Sequence, residues 1–143
     1  MNLAYPVTLK TYPNGQVGAS FHDVPEAHTA GNTEVQTLDR AQDALVVALS
    51  IYLDDGRPLP KPSKAKRGQR LVMVPPRAAI KLAIHQAMRD QSMTQAQLGE
   101  RIGVDGKQVR RILNLDHESK LSQLEAALGA LGLVIAVDIF SAA

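Results

Sequence analysis

Between positions 107 and 114 the chain places five side chains that can donate hydrogen bonds to phosphates and base edges: Lys107, Gln108, Arg110, Arg111 and Asn114. A guanidinium pairs bidentately with guanine, a carboxamide with adenine, and an ammonium takes a phosphate. Val109 and Ile112 lie among them at helical spacing, so the donors share the outer face of a short helix. Upstream, Thr94 and Gln95 open another short helix, whose free backbone amides and positive dipole end favour a phosphate. Gly99 is small where two crossing helices approach, and Gly103 accepts positive φ at the turn between them. Leu98, Ile102 and Val104 complete a buried face, and Asp105 reads as the cap of the second helix. A plain helical hairpin with a basic, solvated face needs none of these features together. Their co-occurrence at these offsets points to a helix-turn-helix whose second helix enters the major groove of DNA.

The other residues with chemical potential do not converge. His22 adjoins Asp23, His28 follows, and Asp39 and Asp43 share a helix face at i,i+4. Hydrolysis with hard cations needs several convergent carboxylates. With Arg40 between them, Asp39 and Asp43 read as a solvated stripe, and the two histidines as loop residues. The sequence holds no G-x-S-x-G, P-loop or H-E-x-x-H. No catalytic residue, metal ligand or cofactor is assigned.

The elements that must carry these residues follow from composition and periodicity. Hydrophobic residues make up 45% of the 143 but aromatics only 3%, so the core must be built from Ala, Leu, Val and Ile. With no cysteine, disulfides and thiolate metal sites are excluded and a reducing compartment is expected. The start lacks a signal-peptide pattern, and "ALVVALSIYL" is far shorter than the roughly 20 residues of a membrane span. A cytoplasmic protein without membrane contact is expected. The net charge of +2 hides an asymmetry: residues 1–62 carry four basic and seven acidic side chains, the remainder twelve and seven. Each half should meet a different partner, nucleic acid for the basic one and a basic protein for the acidic one.

"AYPVTLKTY" and "QVGASF" alternate around "PNG", predicting a β-hairpin, with Pro6 marking strand one as an edge strand or one that turns that position outward. A third strand is predicted around His28–Ala30. "TEVQ" predicts a capping box at Thr33, opening a helix with Val35, Leu38, Leu45, Leu49 and Tyr52 on one stripe and Gly56 at its end. "RPLPKPSKAKRGQR", residues 57–70, reads as a linker, and "LVMV" as a fourth strand returning to the first domain. Ile80, Ile84, Ala87 and Met88 then mark a first helix, Thr94 and Gln97 a second capping box, and Leu121, Leu124, Leu128 and Leu131 a last helix ending at Gly132. The tail "LVIAVDIF" alternates with both faces largely apolar, so it needs a covering and a ladder partner. The fold expected is two-domain α+β: β-β-β-α-β over residues 1–75, then an all-helical helix-turn-helix domain over 76–143. Its closing strand would pair with a second copy through Ile135, Val137 and Ile139.

Tyr5 and Val7, then "FHDVPEAHTAGNT" with Phe21, Asp23, Pro25 and Gly31, then Ala41, Ala44 and Leu45, then "LPKPS", stand in a specific order and spacing. Over nearly the whole chain this resembles the HicB-type antitoxins, in the subgroup that carries a helix-turn-helix in place of a ribbon-helix-helix. The resemblance implies a first domain of partial, inactive ribonuclease-H-like fold. That domain would mask a small basic toxin, an mRNA-cleaving ribonuclease with a double-stranded-RNA-binding-like fold. It points to Phe21, Asp23 and Glu26 as toxin-binding residues, although the family commonly has Gly where this chain has Glu26. The expected function is steric neutralisation of that toxin and repression of the chain's own operon at a pseudo-palindromic operator, by a homodimer or higher oligomer. The alternatives are a transcription regulator whose first domain senses a small molecule and, behind it, a DNA-tethered nuclease.

Overall fold

The turn at Pro13, Asn14 and Gly15 sets the first sheet. Gly15 takes a φ of +87°, which side-chain-bearing residues resist, and the Asn14 carboxamide oxygen accepts the Gln16 N–H at 3.0 Å. Strands β1 (Ala4–Thr11) and β2 (Val17–Ser20) therefore pair antiparallel, with Thr8 opposite Ser20 and Thr11 opposite Val17. The computed structural model describes Met1 and residues 3–141. Among them are a four-stranded antiparallel sheet and five helices, an α+β chain that divides into two units, one from Met1 to Ala79 and the other from Ile80 onward.

In the first unit the sheet order is β3-β2-β1-β4, with β3 at His28–Gly31 and β4 at Arg70–Met73. β1 is thus an inner strand, not an edge. It pairs with β4 through Ala4–Val7 and with β2 through Thr8–Thr11, so at Pro6 one flank is open and a residue without an N–H is tolerated. Helix α1 (Glu34–Asp54) lays Thr37, Ala41, Leu45, Ala48 and Leu49 into the core with Tyr5, Val7, Phe21 and Val72. Val35 lies off that face and is exposed, which corrects its place on the predicted stripe. Thr33 is the cap, as expected, but the reciprocal half of the box is displaced by one residue. Thr33 Oγ1 accepts the Gln36 N–H at 3.1 Å, but Gln36 Oε1 reaches back to the Asn32 N–H at 2.7 Å rather than to Thr33.

Residues 57–70 are not a free linker. They run from α1 to β4 inside the first unit and are tied along their length. Tyr5 Oη donates to the Pro60 carbonyl at 2.6 Å, the Ser63 N–H and Oγ both donate to Asp23 Oδ2 at 2.9 Å, and Gln69 Nε2 donates to Thr8 Oγ1 at 3.0 Å. The expectation failed because each tie joins residues 40 or more positions apart. Local composition, here Pro and Lys, carries no trace of such partners.

The second unit takes most of α2 (Pro76–Asp90), then α3 (Gln95–Ile102), α4 (Gly106–Leu113) and α5 (Leu121–Ala130). Its core gathers Ile84, Met88, Leu98, Val109, Ile112, Leu124 and Leu128, with Ile80 and Ile102 half-buried against them. Leu121, expected on the inner face, is exposed, and Ala127 is buried beside Leu124 and Leu128. The expected closing strand is absent from the single chain: among the described residues 133–141 none is assigned to a strand. A ladder needs a neighbour, and this stretch has none within the chain. Val137 and Ile139 are exposed, whereas Ile135 packs against the unit's own core.

Candidate nucleic-acid interface

Two short helices are held in register by caps at both of their starts. At α3 the box is complete: Thr94 Oγ1 accepts the Gln97 N–H at 3.1 Å, and Gln97 Oε1 accepts the Thr94 N–H at 2.9 Å. The close approach falls at Gly99. A Cβ built there would lie 2.9 Å from the Val104 carbonyl oxygen and 3.0 Å from Val109 Cγ2, closer than packed atoms allow. Gly103 then turns the chain at φ +72°. The Asp105 carboxylate starts α4 by accepting the Gln108 N–H at 2.8 Å.

α4 buries Val109, Ile112 and Leu113 and leaves Lys107, Arg110 and Arg111 exposed, with Gln108 half-buried. Asn114, exposed, closes the helix and uses its carboxamide oxygen on the Asp116 N–H at 3.0 Å. Thr94 and Gln95 are exposed at the head of α3, with the Thr94 hydroxyl oxygen serving as the cap. All seven residues expected at the interface therefore fall in one unit, and four of them on one eight-residue helix.

Sequence reasoning missed the group that holds α4 from behind. Lys81 is fully buried, and its Nζ donates to the carbonyls of Arg111 (2.9 Å), Asn114 (2.7 Å) and His117 (2.7 Å) and to Ser119 Oγ (2.9 Å). These carbonyls lie at and just beyond the end of α4, where the helix leaves its acceptors unpaired and its dipole favours a cation. One turn further along α2, His85 Nε2 lies 2.7 Å from the Leu113 carbonyl. A lysine inside the apolar run "AAIKLAI", four residues before a histidine, was the available signal.

The residues expected to meet a toxin are arranged differently. Phe21 is a core residue, 2% exposed, so its ring supports the loop and offers no contact surface. Asp23 is half-buried and anchors Ser63. Glu26 is exposed, yet it accepts from Tyr52 Oη at 2.8 Å and from Arg57 at 3.2 Å. Its own backbone amide, then Tyr52 and Arg57, hold its carboxyl below the usual carboxylate range. Burial, followed by the bond to Glu26, pushes the Tyr52 phenol up. The Arg57 guanidinium stacks over the Tyr52 ring at 3.9 Å. Asp39 and Asp43 are both exposed, and no group of three or more His, Asp or Glu able to hold a metal occurs among the described residues. No helix among those residues is long and apolar enough to cross a membrane.

The family described as HicB-like antitoxin of bacterial toxin–antitoxin system matches over residues 4–83. The chain is 36% identical over 138 residues to Antitoxin HicB 1 of Photorhabdus laumondii, covering 96% of this chain and 88% of that protein. It is 35% identical over 130 residues to Antitoxin HicB of Escherichia coli, with 91% and 94% covered. Antitoxin HicB of Pseudomonas fluorescens is 35% identical over 129 residues, with 90% and 88% covered.

Proposed function

The chain belongs to the family of HicB-like antitoxins of bacterial toxin–antitoxin systems, and from that premise we propose that its two units divide an antitoxin's work. The first unit binds a cognate mRNA-cleaving ribonuclease toxin and blocks it sterically. The second represses the chain's own operon by seating α4 in the major groove of operator DNA. The observation that carries this reading is the α3–turn–α4 arrangement, with Gly99 and Gly103 at its crossing and Lys107, Arg110 and Arg111 facing outward.

In this reading the β-β-β-α-β unit is a partial ribonuclease-H-like fold that has become a binding surface and performs no chemistry. Its loop acids Asp23 and Glu26 present negative charge to a small basic partner, while Phe21 braces them from inside. One helix-turn-helix reads few base pairs, so repression calls for two, about 34 Å apart on a pseudo-palindrome. The exposed apolar side chains Val134, Val137, Ile139 and Phe140 supply the surface on which two copies join.

The test has two arms, both on the full chain. RNA cleavage by a short basic protein encoded beside it should stop at one equivalent, and gel shifts should show preference for the upstream DNA of that operon. Cleavage that continues in a stable complex overturns steric inhibition. Equal affinity for operator and scrambled DNA overturns the repressor reading.

A further inference from the structure

From Gly56 to Arg89 the chain carries nine basic residues and no carboxylate. Some of these have work inside the fold. Arg57 pairs with Glu26, Arg70 with Glu34, and Lys81 holds α4. Lys61, Lys64, Lys66 and Arg67 are exposed, and their side chains enter no hydrogen bond or ion pair among the described residues. Four unpaired cations within seven residues repel one another, and this costs stability unless an anion takes them up.

Their backbone is held in place. The ties from Tyr5 to Pro60 and from Asp23 to Ser63 fix the middle of the segment. A turn in which the Lys66 N–H donates to Gln69 Oε1 at 2.8 Å and the Gln69 N–H to the Lys66 carbonyl at 3.0 Å fixes its end. A ligand therefore meets a preorganised row of charge, with less ordering entropy to overcome than a flexible basic tail would impose.

We propose that Lys61, Lys64, Lys66 and Arg67 form a second, sequence-independent contact with duplex DNA, gripping backbone phosphates beside the operator. The proposal rests on the repressor reading for its target but on different residues. Single-stranded RNA is the less suitable ligand, because such sites stack bases on aromatic rings and the chain has no Phe, Tyr or Trp from Leu53 to Ile139. Duplex backbone requires only cations at spacing, and each neutralised phosphate adds about 0.9 to the dependence of log K on log salt.

The experiment compares the full chain with a Lys61→Gln, Lys64→Gln, Lys66→Gln, Arg67→Gln variant, across a salt series, on the operator with long flanks and on scrambled DNA of equal length. The variant should lower the salt slope by about 2 to 4 on both DNAs and leave the operator-to-scrambled affinity ratio unchanged. Replacing Lys61, Lys64 and Lys66 by Arg should retain the wild-type slope, which separates charge from any loss of fold. An unchanged slope in the Gln variant overturns the proposal, as does a changed ratio with the slope intact. If instead the wild type shows no operator preference yet the slope still falls, the repressor reading fails and this contact stands.

Discussion

At the scale of single residues, the interface has a front and a back. On the front, Arg111→Ala should weaken operator binding by about 1–3 kcal/mol in gel shifts at fixed salt. Unchanged affinity for both Arg111→Ala and Arg110→Ala would remove α4 as the reading helix. Behind it, Lys81→Met keeps the volume but strips three carbonyls of a buried donor. Urea unfolding should show a loss of about 3 kcal/mol, because buried acceptors left unpaired bear their full desolvation cost. In the first unit, Tyr5 is a buried donor as well. Burial first, and the nearby Asp23 and Tyr52 next, push its phenol up to about 12 from 10.0. The raised value means the folded state holds the proton more tightly than the unfolded one. The associated stability is therefore complete below about pH 10 and lost as pH rises toward 12, roughly 2–3 kcal/mol in all. Tyr5→Phe should cost about 1 kcal/mol at neutral pH, for the bond to the Pro60 carbonyl. Its urea midpoint should then fall less than that of the wild type between pH 9 and 11.5.

At the scale of elements, the α3–α4 crossing is the tightest joint. Gly99→Ala places a methyl against the Val104 carbonyl and Val109, and backbone cannot yield as a long side chain would. The thermal melt should show about 1–3 kcal/mol of destabilisation, with α4 displaced and operator affinity reduced alongside. This crossing was legible in the sequence because each of its demands is local: a Thr–Gln box, a small residue, a positive-φ glycine, an Asp cap. The hairpin at Asn14-Gly15 and the fourth strand were legible for the same reason. What escaped was set by distant partners. Val35 looked like core by its hydrophobicity, but α1 turns a face centred on Thr37, Ala41 and Leu45 to the sheet. Pro6 suggested an edge strand or a position turned outward; β1 lies inside the sheet, but its two halves pair on opposite sides and leave one flank of Pro6 open. The row of prolines and lysines after α1 read as a linker-like stretch within the first domain, and the long-range bonds of Tyr5, Asp23 and Gln69 tie it down there. Of the candidate site, the outward donors were legible and the buried lysine behind them was not, since burial of a charge depends on acceptors 30 or more positions away.

At the scale of the whole molecule, the proposed self-association rests on the tail. Removing the residues after Leu133 takes away Val134, Val137, Ile139 and Phe140, whose apolar surface has no cover in the single chain. Light scattering on the truncated protein should report the loss of self-association through its DNA-binding unit, and gel shifts a fall in operator affinity by two orders of magnitude or so, as two tethered half-site contacts become one. A truncated form that still dimerises through that unit would place the joining surface elsewhere. The pairing of β1 with β4 has a further consequence, which concerns time. Ala4–Val7 find their partners 63 to 69 positions later, at Arg70–Met73. While a ribosome is still making the segment between them, the front half of β1 has been synthesised with nothing to pair with. Until residues 70–73 have been made, each nascent chain carries an open edge there, a template for neighbours on the same message. Under the proposed function, toxin binding would therefore lag behind the synthesis of β1 by the time needed to build β4 and free it from the exit tunnel.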